Sequence, residues 1–149
     1  MTRILFVCLG NICRSPMAEF VMKELVEKKG LSHEFHIESA ATCSDELGNP
    51  VYPPVRKLLA ERGISTGGKT ARRLTNDDYN RFDYIVGMDQ NNLRSMLRQF
   101  GGDPEGKISL LMGHTGDCRD VADPWYTRDF RATENDVDRG CVALLEKIL

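Results

Sequence analysis

Cys8 and Arg14 stand six positions apart, separated by Leu9-Gly10-Asn11-Ile12-Cys13 and followed at once by Ser15-Pro16. This spacing suits the binding of one tetrahedral oxyanion, with a sulfur at one lip, a guanidinium at the other and backbone N–H groups between. A loop feeding a helix N-terminus leaves N–H groups without intrahelical acceptors, and with the helix dipole they attract an anion. Gly10 relieves crowding where the chain curls, and Asn11 tolerates left-handed backbone angles. The same field favours the thiolate of Cys8 and makes it a nucleophile, helped by Ser15 if its hydroxyl points inward. Arg14 can grip two phosphate oxygens with its planar fork. Leu9, Gly10, Asn11, Ile12, Cys13 and Ser15 are thus the candidate phosphate-binding residues.

Phosphoryl transfer to sulfur needs a proton for the departing oxygen. The candidate donor is Asp123, in Asp120-Val121-Ala122-Asp123-Pro124-Trp125-Tyr126. Pro124 stiffens this segment, and the rings of Trp125 and Tyr126 could wall a cleft and hold an aromatic leaving group. The competing reading is a proline-initiated turn whose aromatics fill a gap in the core. The phosphate loop at the other end of the chain favours the acid.

These residues need a scaffold, and strand and helix signals alternate along the chain. The apolar run 4–7 reads as a strand covered on both faces. From Ser15, the residues Met17, Phe20, Val21 and Leu25 keep helical spacing, with Gly30 as a stop. A second strand is expected over 35–39 and a second helix over 54–62. Thr75-Asn76-Asp77-Asp78 looks like an N-cap with acids in the first turn of a short helix. A third strand covers 84–88, and Asp89 leads into a helix through Phe100. A fourth strand covers 108–112, and a loop over 113–131 precedes a terminal helix carrying Val137, Cys141, Leu144, Leu145 and Ile148. This order implies a single α/β domain over 1–149 with an open, mainly parallel sheet and helices on both faces. Ligands bind beyond the carboxyl ends of the strands in such sheets, which is where Cys8 falls. Met17, Met22, Met88 and Met96 are expected in the core, and Arg72-Arg73 in a solvated turn.

Composition narrows the function classes. A net charge of −2 gives no broad basic field for nucleic acid or an anionic membrane. No apolar run reaches the roughly 20 residues that span a bilayer, and the first strand is too short for a secretory leader, so a cytoplasmic location is expected. The five cysteines are an odd, scattered set in a chain that does not need staples, which argues against a disulfide framework. The three histidines lie apart and no C-x-x-C pairs occur, so no metal or other cofactor is expected.

The run from Val7 through Cys8 and Arg14 to Glu19, with Ser39-Ala40-Ala41, Gly87-Met88-Asp89 and Asp123-Pro124-Trp125-Tyr126, resembles the low-molecular-weight protein tyrosine phosphatases over nearly the whole chain. The resemblance implies a three-layer α/β sandwich with a four-stranded parallel sheet and no metal. It makes Cys8 the nucleophile, Arg14 the phosphate clamp and Asp123 the general acid and then base. Asn11 and Ser15 would shape the loop, with Ser39 bonded to Asn11. The implied partner is a tyrosine-phosphorylated protein, such as a tyrosine kinase, met by a monomer. The chain departs from the pattern in three places. Trp125 occupies a slot often held by tyrosine, Asp45-Glu46-Leu47 stands where some relatives carry tryptophan, and a loop-supporting histidine has no match, the nearest positions being Lys69 and Thr70.

Two other chemistries share the scaffold. Protein-arginine phosphatases tend to carry threonine at the position of Ile12, and an apolar side chain there suits a phenyl ring better than a guanidinium. A thioredoxin-coupled arsenate reductase needs two further cysteines close together, a spacing that Cys43, Cys118 and Cys141 do not provide. These three are read as structural or incidental. Cys13 has two open readings, a reversible disulfide partner for Cys8 or a small apolar filler under the helix.

Overall fold

A computed structural model describes residues 1–149. Strand β1 (Thr2–Cys8) lies inside a parallel sheet of order β2-β1-β3-β4, with β2 (Phe35–Ala41), β3 (Tyr84–Gly87) and β4 (Ile108–Leu110). Its central residues are wholly buried, as the unbroken apolar run requires for a strand covered on both faces. Six helices surround the sheet: α1 (Arg14–Lys28), α2 (Pro53–Glu61), α3 (Asp78–Arg81), α4 (Gln90–Phe100), α5 (Pro124–Thr127) and α6 (Phe130–Ile148).

Period-two alternation along β1 divides the core between the two faces. Ile4, Phe6 and Cys8 pack toward α1, α2 and α6, whereas Leu5 and Val7 pack toward α3 and α4. The result is the three-layer α/β sandwich implied by the resemblance. Met17, Met22, Met88 and Met96 are all buried in it. Helix α6 lies flush on the end of the sheet, where a side chain at Gly140 would collide with Leu111.

Several boundaries differ from the sequence reading. Strand β4 stops at Leu110 because Leu111 turns helical and a 3-10 turn follows over Met112–Thr115. The segment 113–131 therefore is not a plain loop. It also contains α5, where Pro124 pre-sets the first helical position and the Asp123 side chain caps by accepting from the Trp125 N–H. Helix α3 lacks the expected side-chain cap at its N-terminus. Asp78 instead turns back to accept from the Thr75 N–H and from Arg72 and Arg81. That also corrects the reading of Arg72 as solvated: its guanidinium is drawn in by Asp78 and Glu38.

Candidate active site

Cys8 ends β1 and Arg14 begins α1, so the intervening loop sits at the carboxyl edge of the central strand. The carbonyls of Cys8, Leu9 and Ile12 accept from the N–H groups of Thr42, Cys43 and Tyr52. Every peptide bond in the chain is trans, so each such carbonyl turns the following N–H the opposite way. The N–H groups of Leu9, Gly10 and Cys13 are thereby directed away from those flanking segments. Asn11 has φ 61°, the left-handed value its side chain tolerates, and its own N–H donates to Cys8 Sγ at 3.3 Å.

A chain of polar groups leads from the sulfur into the interior. Ser15 Oγ lies 3.0 Å from Cys8 Sγ and accepts from Asn11 Nδ2 at 2.8 Å, which leaves its own proton free to point at the sulfur. Asn11 Nδ2 also donates to Ser39 Oγ at 2.9 Å, and Ser39 Oγ donates to Glu19 Oε1 at 2.5 Å. The Asn11 carbonyl oxygen accepts from the Arg72 N–H, which fixes the amide's orientation. Glu19 is buried but charge-paired, with Lys23 Nζ at 2.6 Å and Lys69 Nζ at 3.6 Å. Burial lowers the Lys69 pKa, against the opposing pull of Glu19.

Arg14 is buried and held from three sides. Its guanidinium donates to Asp89 Oδ2 at 2.9 Å and to the Val121 carbonyl at 3.3 Å, and it lies 3.4 Å from Asp123 Oδ2. Burial alone would lower its pKa, but the charges of Cys8, Asp123 and Asp89 outweigh that and raise it. Asp89 has a second task, accepting from the Asn92 N–H in a reciprocal cap that starts α4. Cys13, by contrast, is pushed up to about 12, mainly by burial and further by the charges of Cys8 and Asp123.

Cys8, Arg14, Asp123, Trp125 and Tyr126 line one cleft of about 240 Å³, together with the loop residues Leu9 to Cys13. Ser15 and Ser39 lie beneath it, bonded as described. Cys8 is only 4% exposed, yet it forms part of the cleft wall and is not sealed off. Trp125 and Tyr126 are 53% and 84% exposed. Trp125 meets Tyr52 edge-on at 5.5 Å, and Tyr52 stacks on Phe130. The aromatics therefore stand at the rim of the cleft and do not fill the core.

Sequence reasoning passed over several residues here. Cys43, taken as incidental, lines the cleft beside Asp45 and Glu46. Lys69, noted only as a position near a missing histidine, donates to the Ser39 carbonyl and faces Glu19. Asp89 was read as a helix start and as part of a motif behind the resemblance, with no partner assigned to it. Its other signal was its place just beyond the third buried strand, on the sheet edge where ligands bind.

The family model described as low molecular weight phosphotyrosine protein phosphatase matches residues 3–149. A Bacillus subtilis protein named low molecular weight protein-tyrosine-phosphatase YfkJ is 39% identical over 150 residues, covering 99% of this chain and 96% of its own. Its crystal structure superposes with a TM-score of 0.95, covering 99% of this chain and 94% of that one. A Gallus gallus low molecular weight phosphotyrosine protein phosphatase is 40% identical over 149 residues, or 97% of this chain and 94% of its own. A Drosophila arginine phosphatase structure has a TM-score of 0.88 at 31% identity, covering 99% of this chain and 98% of that one. A family model matched over residues 3–149 and relatives about 40% identical along almost every residue mean that the chain belongs to the low-molecular-weight phosphotyrosine protein phosphatase family of hydrolases.

Proposed function

We propose that this protein hydrolyses phosphotyrosine in proteins through a phosphocysteine intermediate. The observation that carries the reading is the meeting of Cys8, Arg14 and Asp123 in one narrow cleft. Cys8 sulfur attacks phosphorus, forming the S–P bond as the P–O bond to the phenol breaks. Asp123 gives its proton to the departing oxygen. Loop N–H groups and Arg14 stabilise the charge spreading over the three equatorial oxygens, while Asn11 and Ser15 hold the loop and the sulfur. Water then attacks phosphorus, Asp123 takes its proton, and the S–P bond breaks to release phosphate and the thiolate.

Depth favours tyrosine. The sulfur is almost covered and the Trp125 and Tyr126 rings rise above it, so a phosphate must be carried down on a long, flat arm. A phenyl ring provides this reach and the apolar contact of Ile12 and Trp125, whereas the short arm of phosphoserine does not. The natural substrate would be a tyrosine-phosphorylated protein, such as a kinase, in the cytoplasm. Phosphoarginine is the second reading, supported by the likeness to the Drosophila arginine phosphatase and by the carboxylates of Asp45 and Glu46 at the cleft.

The test is hydrolysis of matched phosphotyrosine, phosphoserine and phosphoarginine peptides without added metal or reductant. The expected order puts phosphotyrosine first, with phosphate release abolished in a folded Cys8→Ser variant. Faster turnover of phosphoarginine would replace the reading by its alternative. Undiminished turnover by Cys8→Ser would remove the phosphocysteine.

A further inference from the structure

We propose that Thr133 and Asp136 of α6 are positioning residues for the general acid, acting through the peptide groups of Ala122. The proposal rests on the reading of Asp123 as that acid. Ala122 immediately precedes Asp123. Its carbonyl accepts from Thr133 Oγ1 at 2.7 Å, and its N–H donates to Asp136 Oδ2 at 3.0 Å. Thr133 is wholly buried and Asp136 only 3% exposed, so both bonds are largely shielded from bulk water. The two side chains are three residues apart on one face of the helix, so they reach the same peptide from neighbouring positions.

The clamp continues one residue further back. The Val121 N–H donates to the Met88 carbonyl at 2.9 Å, and the Val121 carbonyl accepts from Arg14 Nη1 at 3.3 Å. Both backbone groups of both residues before the acid are therefore bonded, to the residue just past β3, to α1 and twice to α6. Asp136 is in turn held by Arg119, whose guanidinium nitrogens donate to its two oxygens at 2.8 and 2.5 Å. Asp123 itself is bonded forward into its own short helix, its carboxylate accepting from the Trp125 N–H and its carbonyl from the Tyr126 and Thr127 N–H groups, and otherwise only faces Arg14. Its reach over the cleft is consequently set by the backbone behind it. Proton transfer depends on sub-ångström placement more steeply than anion binding does, so loosening the clamp should impair protonation of the leaving group before it impairs phosphate binding.

The experiment compares kcat/KM for phenyl phosphate, a poor leaving group, with that for p-nitrophenyl phosphate, a good one. Thr133→Val keeps the side-chain shape but removes the hydroxyl, and it should lower kcat/KM about tenfold on phenyl phosphate and less than about twofold on p-nitrophenyl phosphate. Thr133→Ser should restore both. The inhibition constant of inorganic phosphate should stay within about twofold, as it reports the loop around Cys8 and not the acid. Asp136→Asn tests the second bond and should show the same selectivity. Equal losses on the two esters, or no loss on either, in both variants would overturn the proposal. The underlying reading fails differently: Asp123→Ala would then show no preference between the esters. The clamp alone fails when Asp123→Ala discriminates and the α6 variants do not.

Discussion

Lys69 and Ser39 are joined by a 2.9 Å bond from the ammonium to the serine carbonyl, at the opposite end of the polar chain from Cys8. The same ammonium faces Glu19, which accepts a hydrogen bond from the Ser39 hydroxyl. One cation thus holds Ser39 through both its backbone and its carboxylate partner. Removing it in Lys69→Met should destabilise the protein by about 2 kcal/mol, the scale of a hydrogen bond to a charged group. Urea unfolding would show this as a lower midpoint, partly regained in Lys69→Arg. An unchanged midpoint would mean that Lys23 alone satisfies Glu19.

Asn11 combines a left-handed backbone with a side chain bonded at both ends. Asn11→Ala should cost about 3 kcal/mol, combining backbone strain with lost buried bonds. Asn11→Gly keeps the bond losses but relieves the strain, so it should be the more stable of the two by about 1 kcal/mol. Thermal or urea unfolding of the pair separates the contributions.

Asp123→Ala should reduce kcat/KM about a hundredfold for phenyl phosphate and far less for p-nitrophenyl phosphate. A good leaving group departs without protonation, so the slope of kcat/KM against leaving-group pKa should steepen in the variant. Parallel slopes would deny Asp123 the proton.

The Cys13 thiol, raised to about 12, should stay protonated at neutral pH. Its labelling by iodoacetamide should be negligible at pH 7 and rise about tenfold per pH unit above it. The exposed Cys118 should react earlier. Peptide mass spectrometry resolves the sites, and brisk labelling of Cys13 at pH 7 would contradict the assignment. A bridge from Cys13 to an oxidised Cys8 would have to await the same deprotonation.

Burial would raise the Asp136 pKa, but bonds from Arg119 and the Ala122 N–H outweigh it and hold the carboxyl below its ordinary value. A pKa depressed by folding adds stability above the unfolded value of about 3.9, and that stability is lost as the pH falls through the folded-state value. Asp136→Asn should therefore show a shallower loss of stability than the parent below about pH 4, measured by denaturant unfolding across that range. Identical slopes would mean that Asp136 titrates alike in both states.

Local rules account for what the sequence made legible. The apolar runs of β1 and β3 stand out because parallel strands are buried on both faces, and Asn11 because few residues accept positive φ. Asp123 and the neighbouring aromatics were legible as a group because Pro124 marks a turn. Helix α5 was missed since four residues are too few to display a period. Arg72 was misread because its partners Glu38 and Asp78 come together only in the fold. Asp89 announced a helix cap, but nothing nearby in sequence announced Arg14, 75 residues away.

Gly140 leaves no side chain between α6 and Leu111. The bare backbone there acts as a thickness gauge for the sandwich, and the helix whose height it sets also bonds the peptide just ahead of Asp123. An added methyl group at that seam, which does not line the cleft, would act as a wedge and shift the position of Asp123 over it.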